Sequence, residues 1–130
     1  MHQLLHPKAW KAPKGYANGV MAEGRQIFVG GQIGWNGAQE FETDDLAGQI
    51  EQALRNIVAV LAEAGAAPRH IVRLTWYVTD RGEYLARLAD VGAAYRRVLG
   101  RHFPAMTMVV VVALVEARAK VEIEATAVVP

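Results

Sequence analysis

The chain is 130 residues long, carries 14 Lys and Arg against 13 Asp and Glu, and has no cysteine. That length makes one domain able to bury its own core, and a single domain over 1–130 is expected. The near-zero charge gives no support to a cationic stripe for nucleic acid. Without cysteine there are no disulfides, thiolate metal sites or cysteine nucleophile; without serine no serine triad can be built. The apolar share, 52%, lies above the usual ~45–50%, a first hint of surface that one copy cannot hide. The longest apolar run, residues 106–115, is about half of the ~20 residues that a membrane helix needs. Met1 to Lys8 shows no basic-then-apolar leader, so a cytoplasmic protein without a membrane partner is expected.

In chain order, residues 1–15 contain Pro7, Pro13, three lysines and Trp10, and read as an extended N-terminal arm. Gly19–Ala22 and Gln26–Val29 flank Glu23-Gly24-Arg25, which predicts a hairpin. Gly30-Gly31 interrupts the second of these strands or lets another backbone come close. Thr43-Asp44-Asp45 predicts a helix start, with Thr43 as cap and two carboxylates in the first turn. Leu46, Ile50, Leu54, Ile57 and Leu61 then recur at helical spacing, and Gly65 falls where a terminating glycine belongs.

Residues 70–79 alternate, with Leu74, Trp76 and Val78 on one face and Arg73, Thr75 and Tyr77 on the other, which predicts a strand. Asp80 and Glu83 have capping-box spacing ahead of one helix running to Gly100, with Gly92 an unexplained weak point in its middle. Residues 106–114 are apolar throughout, and 120–129 alternate again. The order β-β-α-β-α-β-β predicts an α+β fold, one mixed sheet with two helices on one face.

Two helices leave the other sheet face open, and the Val109–Val112 run asks for dry surroundings on both sides. Self-association that packs identical sheets together answers this, with sites at the subunit seams; the alternative is that the N-terminal arm folds over the open face. Chemistry has few candidates. The four histidines share no metal-ligand spacing with a carboxylate, no phosphate loop or dinucleotide fingerprint is present, and no metal or cofactor is expected. Glu122 and Glu124 lie on one face of a strand and either line a wet cleft, where a carboxylate can hold a water, or form ion pairs with Lys120 or an arginine. Tyr16, Trp35 and Trp76 either pack in the core or stack on a flat ligand.

The segments Gly15–Val20, Ile27–Ile33, Gln52–Ile57, Ile71–Asp80, Phe103–Ala105 and Val121–Ala127 together resemble the RidA/YjgF group, also called L-PSP endoribonucleases. The resemblance implies a chorismate-mutase-like fold and a homotrimer whose sheets pack into a central barrel, with three clefts between subunits. It further implies hydrolysis of enamines and imines such as 2-aminoacrylate to a 2-keto acid and ammonia. On these positions Glu122 and Tyr16 correspond to catalytic residues, and Gly30, Gly31, Trp35, Trp76 and Met106 to the substrate-binding region. Departures are marked: the arginine that grips the substrate carboxylate in active members is Met106 here, the serine before Gly-Gln is Gly30, and a cleft asparagine is Gly92. The second helical region is also about four residues longer. Loss of one charge-assisted contact, roughly 1.5–3 kcal/mol, weakens small imino acids at least tenfold, unless Arg73, Arg101 or Arg118 reaches the cleft. The expected function is therefore an imine or enamine hydrolase with an atypical substrate, or a ligand-binding trimer that has lost the chemistry. The nuclease reading ranks last, because neither a basic stripe nor a metal cluster supports it.

Overall fold

The structure, a computed structural model, describes residues 2–130. Its strands are β1 (Gln3–Leu5), β2 (Gly19–Met21), β3 (Arg25–Ile33), β4 (Ile71–Val78), β5 (Ala105–Val110) and β6 (Val121–Val129). Helices α1 (Leu46–Glu63), α2 (Arg81–Ala86) and α3 (Leu88–Leu99) separate them as the periodicities predict. The main sheet has the order β3-β6-β4-β5, antiparallel except for the parallel β4–β5 pair. No helix among the described residues is long and apolar enough to cross a membrane.

The core is the layer between this sheet and the helices. Leu46, Ile50, Leu54, Ile57 and Leu61 of α1 lie against Leu74, Trp76 and Val78 of β4 and Val121, Ile123 and Ala125 of β6. Each fully buried aliphatic side chain contributes about 1.5–3 kcal/mol relative to exposure. Gln49 is fully buried among them. Its amide donates to the carbonyls of Thr43 (3.1 Å) and Arg118 (3.0 Å) and accepts from the backbone N–H of Lys120 at 2.8 Å. Asn56, two turns further along α1, donates to the carbonyls of Ile33 and Trp35 at 3.2 and 2.7 Å. Two polar side chains of α1 thus fix both the start of β6 and the end of β3.

Five expectations are corrected. First, β2 does not form a hairpin with β3; it pairs with β1 in a separate antiparallel ribbon, so part of the segment read as an arm is a strand. Glu23-Gly24 carries the chain from ribbon to sheet, and Gly24 lies too close to the carbonyl of Val129 for a side chain. Second, Asp45 rather than Thr43 caps α1, and its first turn holds no carboxylate; the Thr43 hydroxyl instead accepts from the N–H of Asp45 at 3.0 Å. Third, the second helical region breaks at Arg87. The Arg87 guanidinium binds Asp45 and Asp90, each at 2.8 Å, which ties the break to the cap of α1. Fourth, Asp80 accepts from the N–H of Glu83, but Glu83 pairs with Lys120 rather than closing the capping box.

The fifth concerns the open face. The cross-strand registers place Thr126, Glu124 and Glu122 beside Arg73, Thr75 and Tyr77, with Thr107 and Val109 beyond them on β5. This face is largely polar, because the alternation of β4 and β6 puts their apolar residues toward the helices. β5 is an edge strand and ends at Val110; Val112 and Val115, past its end, are fully exposed. Exposed apolar side chains lie there, at Phe28, which is 72% exposed and stands beside Thr126 on the open face, and also at Leu4, Trp10, Met21, Leu85 and Leu88.

The Asp45 carboxyl is held below the ordinary carboxylate range, first by the bond from Arg87 and then by the N–H of Gly48. The folded chain therefore binds this proton more weakly than the unfolded one. The stabilisation is complete above the ordinary carboxylate range and is lost as pH falls through the lowered value. Asp45→Ala is expected to cost about 1 kcal/mol at neutral pH, with the gap to the native chain narrowing below about pH 4. Urea titrations of both proteins at pH 7 and pH 3 check the cost and its direction.

Candidate functional site

The parallel pairing of β4 with β5 places Met106 beside Leu74 and Met108 beside Trp76, on the helix side of the sheet. Because β5 is the edge, these methionines are only half covered, and a cavity of about 530 Å3 opens between them, α2, α3 and the Lys14–Tyr16 segment. Its floor is a stack of rings. Trp76 lies 6.1 Å from Tyr95, and Tyr95 lies 5.4 Å from Phe103, with interplanar angles of 21° and 11°. The Tyr95 hydroxyl donates to the carbonyl of His102 at 2.6 Å, and burial pushes its pKa well above the usual phenol value. Tyr95 is therefore a neutral structural ring. Tyr84 also lines the cavity and is likewise raised by burial.

Of the residues singled out in the sequence, Tyr16, Trp76 and Met106 meet in this cavity. Tyr16 is 43% exposed and also borders a second cavity, of about 400 Å3, with His6, Asn18 and Arg101. Trp76 is buried to 3% exposure, and its indole N–H has no acceptor among the described residues.

Glu122 and Gly31 form a different group. Glu122 stands beside Tyr77 on the face turned away from the helices, and β3 slips register between Val29 and Gln32. The slip brings the Gly31 backbone onto the Glu122 side chain, so that a Cβ at Gly31 would overlap its carboxylate. Here only glycine fits while Glu122 stays in place. Gly30 has no such neighbour. Glu122 itself is without an ion-pair partner among the described residues. Glu124, by contrast, accepts from the Tyr77 hydroxyl at 2.9 Å, a bond that raises the tyrosine pKa.

Trp35 belongs to neither group. It packs at 6.0 Å against Phe41, whose other face lies 5.2 Å from the Arg118 guanidinium, and Arg118 is itself paired with Asp44. Neither Arg118 nor Arg73 lines the cavity beside Met106, and Arg101 lines only the second one. The cations that do line it are Lys14 and Arg96, and Arg96 is one that the sequence reading passed over. The available signal was Gly92, one turn earlier on the same helix face. A Cβ there would lie 3.2 Å from Nη1 of Arg96, so the missing side chain is the space across which Arg96 lies. His70 is buried and accepts from the N–H of Ala67 at 2.9 Å; burial lowers its pKa.

The cavity beside the edge strand and the Glu122–Gly31 contact thus lie on opposite faces of a two-layer α+β sheet. The chain belongs to the Endoribonuclease L-PSP family, the RidA/YjgF group, whose profile matches residues 7–129. It is 36% identical over 127 residues to protein DfrA of Myxococcus xanthus, covering 91% of this chain and 90% of that one. It is 35% identical over 116 residues to the 2-iminobutanoate/2-iminopropanoate deaminase of Escherichia coli K12, covering 87% and 86%. Among solved structures it is similar to the Rid-family protein YyfB of Yersinia pestis, of unknown function, with TM-score 0.87, 32% identity and 98% of each chain covered.

Replacing Gly31 by Ala is expected to turn the Glu122 carboxylate away at small cost in stability, since the obstructing atoms end a flexible side chain. Gly30→Ala is expected to leave it in place. The 13C carboxyl resonance of Glu122, shifted in the first variant and native in the second, checks this.

Proposed function

We propose that this protein binds a small metabolite at clefts between subunits of a homotrimer and hydrolyses an imine or enamine without the usual carboxylate anchor. The observation that carries the reading is the division of the site. Tyr16 and Met106 lie on the helix side of the sheet, and Glu122 on the other, so one copy alone cannot bring them around a single ligand. A neighbouring copy that presents its Glu122 face to this cavity's mouth completes it. The exposed Phe28, Val110, Val112 and Val115 supply apolar surface for such contacts.

In the completed cleft Glu122 accepts a proton from a water as its oxygen bonds to the imine carbon. The nitrogen takes up protons, the C–N bond breaks, and ammonia leaves a ketone behind; an enamine first tautomerises to the imine. Tyr16 orients the ligand at the mouth, and Gly31 keeps room for Glu122. Similarity to the imine deaminase supports this chemistry. Met106 favours a second reading, a ligand-binding trimer without turnover, because a thioether cannot pair with a carboxylate. Phosphodiester cleavage is disfavoured by the near-zero net charge, which gives no support to a cationic stripe for nucleic acid.

Two measurements test this reading. Sedimentation equilibrium at micromolar concentration is expected to give three times the 14.2 kDa chain mass; a stable single-chain species would remove the shared cleft. With enzymatically generated 2-aminoacrylate, the native protein is expected to be slow, Met106→Arg at least tenfold faster, and Glu122→Gln in that background inactive. Pyruvate release no faster than buffer from both the native chain and Met106→Arg would favour the non-catalytic reading.

A further inference from the structure

Read as the ligand pocket of the function proposed above, the cavity has a chemistry that fits one class of molecule. Five rings line it: Tyr16, Trp76, Tyr84, Tyr95 and Phe103. Flat side chains in such number suit a planar apolar body, which stacks or meets them edge to face. Lys14 and Arg96 also line the cavity, no Asp or Glu does, and neither cation has a carboxylate partner among the described residues. The cavity is therefore cationic at its rim and aromatic at its floor. In that floor the indole N–H of Trp76 is buried without an acceptor among the described residues.

The position of Arg96 is specific. A helix-interior glycine is destabilising relative to alanine, and at Gly92 the vacated space is the one that Nη1 of Arg96 overlies. The β5 positions that face the same cavity are the uncharged Met106 and Met108. We propose that this pocket is built for an aromatic carboxylate: the ring enters among Trp76, Tyr84 and Phe103, and Arg96, lying over Gly92, grips the anion from the helix side. Arg96 is thereby a specificity-determining residue, and its planar fork suits the bidentate geometry of a carboxylate.

The test is calorimetric binding of three probes to the full-length protein in its solution assembly. Phenylpyruvate has both the ring and the anion, phenylacetone has a methyl group in place of the carboxylate, and pyruvate lacks the ring. Phenylpyruvate is expected to bind at least tenfold more tightly than either of the others. Arg96→Gln is expected to erase its advantage over phenylacetone and leave phenylacetone binding unchanged. Gly92→Ala, which adds a methyl group under the guanidinium, is expected to reduce that advantage severalfold. Equal binding of phenylpyruvate and pyruvate, or an advantage over phenylacetone that survives Arg96→Gln, overturns the proposal. Hydrolysis plays no part in this readout. Arg96-dependent binding without 2-aminoacrylate turnover would count against the deaminase reading alone, and turnover without Arg96-dependent binding against this proposal alone.

Discussion

The buried amide of Gln49 is the contact on which the placement of the site depends. It satisfies two carbonyls and one N–H that would otherwise be stranded at the junction of α1, the loop before it and the turn into β6. Each buried polar group left unpaired costs about 1–3 kcal/mol, so these three bonds hold the junction to one arrangement. The start of β6 in turn fixes its register against β4, and that register sets Glu122 on the open face beside Tyr77. Slipping β6 by one residue would exchange Glu122 with Ile123 across the sheet, placing a charge in the core and the catalytic candidate out of reach. Gly34 belongs to the same constraint, because a side chain there would meet Gln49.

From that register follows the division of the candidate site. A sheet has two faces, and alternation assigns Met106 to one and Glu122 to the other. The association proposed above joins two half-sites, and the sheet face it uses is mixed: Phe28 and Val109 stand there among Thr75, Thr107, Thr126, Tyr77 and the two glutamates.

Where one physical effect decides an element, the sequence was readable. The i, i+4 leucines and isoleucines of α1, the alternation of β4 and β6, and the Gly65 stop were all legible; at Gly31 what comes close is the Glu122 side chain and not another backbone. Where two effects compete, it was not. Glu23-Gly24-Arg25 has turn chemistry, yet β2 finds its partner in β1, a choice made by distant backbone groups. Residues 81–99 have continuous helical periodicity, but Arg87 gains two carboxylate partners by breaking it. The Val109–Val112 run predicted a buried strand, and only the sheet order reveals that it lies on an edge and overruns the sheet. Within the site, Tyr16, Trp76 and Met106 were legible as a group, while Trp35 was drawn away by Phe41.

Arg96 was missed because charge was sought where family members carry it, on the strand and in the loops. An exposed arginine on a helix reads as ordinary solvated surface, and a mid-helix glycine reads as a tolerated flaw. The two acquire meaning only as a pair one helical turn apart, a spacing at which side chains overlie each other. The same cavity wall can be charged from either of its sides, because β5 and α3 both border it. A methionine on the strand side keeps the rings' surroundings apolar and raises the value of a cation on the helix side, where it stays partly hydrated and avoids the desolvation cost of a buried charge. Moving the charge across the cavity in this way leaves the fold and the Glu122 face untouched. It changes which ligand shape can reach the anion-binding group while resting on the ring stack.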